Sequence, residues 1–158
     1  MSYNIVLPFP IGEKRTVVDA ALVGQLFSSH SKVYMLVKIT GTIAVTAKLF
    51  LQFSAAAGPV TSLVDAVTGA AESKASVAGL CDASQGAVAS GDYILIQRKG
   101  RATATSEAVS LAAQADIATA GTDGKIDDGT VTFDTVVGYT NAAQASADAD
   151  VEIMLDLP

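Results

Sequence analysis

Nine residues in the middle of the chain return near its end: VAGLCDASQ at 77–85 and VVGYTNAAQ at 136–144 share Val77/Val136, Gly79/Gly138, Ala83/Ala142 and Gln85/Gln144. Each copy leads through a small-residue loop into a run of strand character, YILIQ at 93–97 and VEIMLDL at 151–157. The second run alternates strictly. Val151, Ile153, Leu155 and Leu157 share one face and Glu152, Met154 and Asp156 the other, the period of a half-buried strand. Two strand-loop-strand units with glycine at the same place predict pseudo-symmetric halves of a small β-barrel or sandwich, and two copies are too few for a solenoid.

The rest of the chain fits a mainly β fold. VYMLVKI at 33–39 and IAVTAKLFLQF at 43–53 are rich in branched and aromatic residues and flank Thr40-Gly41-Thr42, which predicts a hairpin. Gly91-Asp92 reads as a tight turn feeding Tyr93, and TVTFDTVV at 130–137 alternates Val131 and Phe133 inward. The Ala-rich stretch 102–120 suits a helix or a strand and turn, with strand preferred for 102–111, while AGTDGKIDDG at 120–129 is turn chemistry throughout. Residues 54–76 are mostly small, and 62–67 suits a short helix or a loop with brief pairing. Val18, Leu22 and Leu26 recur every four residues behind Thr16-Val-Val-Asp19, which has capping-box spacing, so a short helix is predicted over 16–27. The expectation is six to eight short strands with one or two short helices.

Residues 1–12 read as an extended N-terminal arm ahead of a single domain at 13–158. Pro8 and Pro10 fix φ, push their preceding residues out of helical conformations and make this a poor central strand. The segment is nevertheless apolar, so it is predicted to leave its own core and seek a partner. Its candidate contact residues are Ile5, Val6, Leu7, Pro8, Phe9, Pro10 and Ile11.

At 158 residues the chain can bury roughly 70% of its unfolded surface, enough for a core without disulfides. With no Trp, that core must be built chiefly from Val, Ile and Leu. Net charge is −6, which opposes phosphate backbones and anionic lipid surfaces. Residues 1–101 hold nine Lys/Arg and six Asp/Glu, whereas 102–158 hold one Lys and ten Asp/Glu, so two differently charged faces are expected. The lone Cys81 cannot form an internal disulfide and gives no sign of an oxidising compartment. No basic region precedes the first apolar stretch, which Pro8 and Pro10 interrupt, so a secretory signal is not expected. Lys38 breaks the apolar run near Val33 well short of the ~18 residues of a membrane span, and a soluble protein without a membrane partner is expected.

Side-chain inventory points away from catalysis. His30 and Cys81 are the only residues of their kinds and would form a nucleophile and base only by meeting in space; the plainer readings are a polar residue near a helix end and a small buried hydrophobe. One Cys and one His cannot make a zinc site without two carboxylates. Asp123, Asp127 and Asp128 crowd one loop but lack the order and terminal Glu of an EF-hand. Gly124-Lys125 is followed by Ile126, so it is no phosphate loop. Arg98, Lys99 and Arg101 form one basic cluster, read as a solvated strand end; a nucleic-acid surface would want interleaved aromatics. Carboxylates able to act as acid and base exist by number alone, with no spacing that sets two on one cleft wall. The expectation is no enzyme, cofactor, metal or nucleic-acid partner.

The run from Val77 to Leu157 resembles the capsid decoration (cement, or head-stabilising) proteins of tailed bacteriophages. The residues that carry the resemblance are Val77, Gly79, Gly91, Asp92, Tyr93, Gly100, Val136, Gly138, Val151 and Ile153, each Val-x-Gly followed by an Ala-rich turn and a strand. It covers 77–158 well and 33–53 loosely, and departs at 16–27 and 54–76. The resemblance implies a compact β domain, made in the host cytoplasm, on the outer surface of an icosahedral head. It further implies a homotrimer whose arm reaches over the major capsid protein, and it brings no catalytic residues. The alternatives are another virion module, of tail or head fibre, and a carbohydrate-binding β-sandwich. The last is weakened because sugar platforms rely on large aromatics and Trp is absent.

Overall fold

The computed structural model describes residues 6–39, 43–45, 48–53, 63–66, 77–81, 86–107, 110–119, 125–128, 136–147 and 149–157. The strands are β1 (Lys14–Arg15), β2 (Leu26–Ser29), β3 (Lys32–Ile39), β4 (Ile43–Val45), β5 (Phe50–Phe53), β6 (Leu63–Ala66) and β7 (Val77–Leu80). They continue as β8 (Gly86–Val88), β9 (Tyr93–Thr105), β10 (Asp116–Thr119), β11 (Ile126–Asp128), β12 (Val136–Thr140) and β13 (Asp150–Asp156). The fold is mainly β, as expected. Its main sheet runs β11-β10-β12-β13-β9-β7-β5-β6-β3-β2, and the end strands β11 and β2 do not pair with each other; β4 and β8 make a separate pair.

The sheet curls back on itself twice. β3 pairs directly with β9, from Val33↔Lys99 to Lys38↔Tyr93, and also in parallel with β6, which leads through β5 and β7 back to β9. At the far end Ser106, just past β9, bridges Ile126 of β11 in parallel. The 13-residue β9 is therefore a spine shared by two lobes. Lobe one comprises β3, β5, β6, β7 and the first half of β9. Lobe two comprises the second half of β9 with β10 to β13. Met35, Val37, Ile39, Leu51, Ala78, Cys81, Val88, Ile94 and Ile96 fill lobe one, whereas Ala102, Ala104, Leu111, Ile117, Ile126, Val137, Val151, Ile153 and Leu155 fill lobe two.

The lobes match pair by pair. In lobe one Phe50↔Leu80, Leu51↔Gly79 and Gln52↔Val77 are partners, with a bulge after Leu51. In lobe two Asp116↔Tyr139, Ile117↔Gly138 and Ala118↔Val136 are partners, with a bulge after Ile117. The lead-in is the same too. Lys48 (φ 74) donates its N–H to Cys81 O and Cys81 N–H donates to Leu49 O; Gln114 (φ 59) donates to Thr140 O and Thr140 N–H to Ala115 O. Gly79 and Gly138 sit where a Cβ would lie 2.7 Å from Gln97 O and 2.1 Å from Met154 O, so each lobe needs glycine for its strand to press on the next one. The nine-residue repeat is the visible part of a duplicated lobe.

Several local expectations are corrected. The helix over 16–27 is one 3-10 turn, Ala20–Leu22, because Asp19 caps it by accepting from Ala21 N–H and Gly24 (φ 84) turns the chain into β2. The 33–39 and 43–53 runs do not form a hairpin with each other: β3 pairs β2, β6 and β9, while Lys48 in left-handed conformation divides the second run into β4 and β5. The turn 40–42 itself lies outside the described residues. Residues 63–66 pair briefly as a strand, the loop alternative of the two expected. The 120–129 stretch is not turn throughout, since Ile126–Asp128 pairs with β10 and buries Ile126. The strand end expected at Arg98, Lys99 and Arg101 is not one, since β9 passes through Gly100 at φ 97 and continues to Thr105. Val131 and Phe133 lie outside the described residues.

Candidate functional site

β3 is buried on both faces, which a simple barrel or sandwich edge does not require. Met35, Val37 and Ile39 point into lobe one, while Tyr34 and Leu36 point outward and form, with Leu95 of β9 and Phe27 of β2, a second apolar surface. Residues 6–23 lie over that surface as a strap. Phe9 is its plug, buried among those four side chains, and Leu7, Ile11, Val18, Leu22 and Val23 pack around it.

The expectation that residues 1–12 keep clear of their own core is thus corrected for the described part. Pro8 and Pro10 remove donors that strand pairing would need, but side-chain packing needs none. The segment bends at 8–9 and turns at 11–12, which sets Leu7, Phe9 and Ile11 against that surface while Val6, 85% exposed, and Pro10 face outward. Ile5 lies outside the described residues. The spacing of apolar residues at 7, 9 and 11 was the available signal for docking.

The strap is anchored beyond the plug. β1 pairs Lys14↔Ile94 and Arg15↔Tyr93, the Arg15 guanidinium lies 5.7 Å from the Phe9 ring centre, and Lys14 Nζ stands 3.3 Å from Asp92 Oδ2. Asp92 sits in the Gly91-Asp92 turn predicted from sequence, where Gly91 N–H donates to Ile39 O and Asp92 N–H to Ala89 O. The Ala89 N–H donates to the Asp92 carboxylate and, with Lys14, holds its pKa below the ordinary value against the opposing effect of burial. Residues 6–12 are held differently: among the described residues no backbone hydrogen bond joins them to β2, β3 or β9.

Lobe two shows what occupies the matching place. Phe53↔Val64↔Ile39 in lobe one corresponds to Thr119↔Ile126↔Ser106 in lobe two, which makes Ile39 and Ser106 equivalent. Stepping back along the strands, Tyr34 and Leu36 take the places of Arg101 and Thr103. The cross-strand pairs Leu36↔Leu95 and Thr103↔Glu152 then make Leu95 equivalent to Glu152. Where lobe one carries an apolar socket under Phe9, lobe two has an open hollow of about 230 Å³ lined by Lys32, Arg101, Thr103 and Glu152.

The basic cluster is dispersed, not solvated as a group. Arg98 is buried, donates to Ala78 O and lies 5.8 Å from the Phe53 ring centre, and burial draws its pKa down. Lys99 pairs with Asp156 at 2.9 Å, Arg101 grips both Glu152 oxygens at 2.7 and 2.6 Å, and Lys48 pairs with Asp150. Arg101, with Asn141, holds the Glu152 pKa below its ordinary value. The unequal charge halves therefore meet along β9 and β13, a contact that composition alone could not place.

His30 is not near a helix end. It occupies the β2–β3 turn with Ser31, both at positive φ (48 and 67), and its ring Nδ1 is 3.0 Å from Ser29 Oγ. Cys81 is fully buried inside lobe one, so the exposed histidine and this thiol are not partners. Among the described residues no three His, Cys, Asp or Glu side chains gather as a metal site, and no helix is long and apolar enough to cross a membrane. Asp123 and the side chain of Asp128 lie outside the described residues.

No protein family and no curated protein matches the chain. A solved structure, that of the head fiber gp8.5 N base in bacteriophage phi29, is similar at TM-score 0.45 and 19% identity, covering 78% of this chain and 93% of that one. A likeness at that level leaves function to be argued from the residues.

Proposed function

We propose that this chain is a structural virion protein without enzymatic activity, a decoration protein that binds the outer surface of an icosahedral phage head and stabilises contacts between capsomers. The reading rests on one observation. The residues that carry the resemblance to decoration proteins are those on which the duplicated fold depends: Val77 and Gly79 pair with β5 as Val136 and Gly138 pair with β10, and Val151 and Ile153 fill lobe two. A motif built from common residues gains weight when each residue has a distinct structural task.

In this reading the partner is the major capsid protein, and three copies assemble on the head. Val6, which is exposed, supplies an apolar contact, Ile5 is a further contact residue of the proposal, and Leu7, Phe9 and Ile11 anchor the segment on the body. Bound arms held in one trimer multiply weak contacts without any one being tight. The test is sedimentation of the purified protein with expanded capsids, with and without residues 1–12. Co-sedimentation that falls sharply on truncation is expected. Protein that stays in the supernatant at saturating capsid removes the proposal, and density for isolated single copies on the head removes its trimer.

A further inference from the structure

We infer that the strap is exchangeable: residues 6–11 of one copy plug the Tyr34-Leu36-Leu95-Phe27 socket of a second copy of this chain. The inference deepens the trimer part of the proposed function and rests on it for its setting. Three observations carry it. First, lobe two completes the same strand pairing with Arg101, Thr103 and Glu152 at the matching outer positions and an open hollow above them, so a lobe does not need a strap to close. The apolar socket of lobe one is an addition to the fold.

Second, the plug is held without strand pairing. Phe9 is buried, yet among the described residues no backbone hydrogen bond ties 6–12 to the strands beneath, whereas residues 14–15 are fixed to β9 by pairing and by the Lys14–Asp92 contact. The boundary between the two regimes is the turn at Gly12 (φ 86), closed by one backbone hydrogen bond of 3.3 Å from Glu13 N–H to Pro10 O; glycine there gives the chain a second backbone region once that bond opens. Pro8 and Pro10 stiffen the segment beyond it, so it swings as a unit. Third, the occupant is already defined. A neighbouring copy offers the same plug to the same socket, the condition for exchange of an identical element between protomers. With one plug and one socket per chain, exchange is either reciprocal in a two-fold pair or head-to-tail, and a head-to-tail link whose rotation closes gives a ring; the proposed trimer is the three-membered ring.

The chain lacks Trp, so Phe9→Trp places its one tryptophan in the plug, excited apart from the four Tyr at the red edge of absorption. The socket is removed by writing lobe two's residues into lobe one: Tyr34→Arg, Leu36→Thr and Leu95→Glu together. A further variant inserts Gly-Ser-Gly-Ser after Gly12, which lets each strap return to its own socket. Sedimentation velocity is run on the full chain and these variants across a hundredfold range of concentration, with emission recorded for each carrying Phe9→Trp. Exchange predicts an oligomer for the full chain and loss of that oligomer in both variants. The plug's emission shifts to the red only in the socket variant, whose β-type circular dichroism is kept. A full chain that is monomeric throughout with a blue-shifted plug, or an oligomer that survives both variants, overturns exchange. A socket variant that loses its β spectrum is replaced in the comparison by the insertion variant, whose unchanged oligomer likewise overturns it. Capsid co-sedimentation is scored separately: a monomer that binds capsids defeats exchange but not decoration, and an exchanged oligomer that ignores capsids does the reverse.

Discussion

Lobe one and lobe two share a backbone plan and present opposite outer faces. Strand order, the bulge after Leu51 or Ile117, the left-handed Lys48 or Gln114, and the pressed glycine at 79 or 138 all coincide. The outward residues do not: Tyr34, Leu36 and Leu95 lie under a strap, and Arg101, Thr103 and Glu152 face solvent. The difference separates two kinds of constraint. Positions that set how strands approach one another are held by geometry and admit few residues, whereas the outer face of the same strands accepts any chemistry that has a matching cover, protein on one side and water on the other.

The largest expected effect strikes the shared plan. Gly138→Ala would place its methyl 2.1 Å from Met154 O, a backbone atom that cannot step aside without moving β13. Overpacking of this kind costs ~3 kcal/mol or more. Gly79→Ala meets Gln97 O at 2.7 Å with flexible Ile96 atoms beside it, so it should cost less. Denaturant unfolding of both variants checks the order. If Gly79→Ala proved the more damaging, the lobes would not be equivalent at their tightest point.

The next comparison concerns the buried position that follows each repeat strand. Thr140 and Cys81 are both fully buried, but Thr140 Oγ1 donates to Ala112 O and accepts from Ala115 N–H at 3.0 Å. Thr140→Val keeps the shape and strips both partners, at ~2 kcal/mol. Cys81 sits among aliphatic neighbours in lobe one, so Cys81→Ala removes a small hydrophobe at ~1 kcal/mol and leaves capsid binding intact. Equal losses in the two variants would mean that the cysteine has the same polar task as the threonine.

How much of this was legible in the sequence follows from the same division. VAGLCDASQ and VVGYTNAAQ are recognisable because Gly79 and Gly138 tolerate no substitute, and the alternation at 151–157 is recognisable because lobe two buries one face of β13. Pseudo-symmetric halves are legible in that repeat, but the extent of the duplication is not. Its halves share β9, so the boundary between copies falls inside a strand, and equivalent outer residues such as Leu95 and Glu152 have opposite chemistry. The false hairpin at 33–53 came from sequence neighbours that take partners elsewhere, β3 with β9 and β5 with β7. The strap was read as free because prolines were weighed as barriers to strand pairing, while the spacing of Leu7, Phe9 and Ile11 spoke for packing.

A smaller effect separates the lobes by pH. Asp92 anchors the strap's base in lobe one, and its lobe-two counterpart, three residues before Glu152 as Asp92 is three before Leu95, is Ala149. Because the Asp92 pKa is lowered from its ordinary value of 3.8 on folding, its contribution is present above that value and is lost as pH falls through the lower folded value. Unfolding temperature should therefore drop on acidification below 3.8, and Asp92→Asn should flatten that part of the profile. An unchanged profile in the variant would assign acid sensitivity to other carboxylates, Glu152 first among them.

The smallest effect belongs to the charged face that lobe two shows in place of the socket. Lys99 and Asp156 pair at 2.9 Å with side chains 48% and 72% exposed, so water screens the attraction and two long side chains lose freedom in making it. A double-mutant cycle with Lys99→Met and Asp156→Asn should return a coupling below ~1 kcal/mol, weakened further in 1 M salt. The socket behaves otherwise, because Phe9, Tyr34, Leu36 and Leu95 gain from excluding water, and that gain is not screened by salt. Raising salt should thus leave the Phe9→Trp emission in place while the Lys99–Asp156 coupling fades. A strap that loosened in salt together with the ion pair would show the two outer faces to be held by the same force, and the contrast between the lobes would be one of degree.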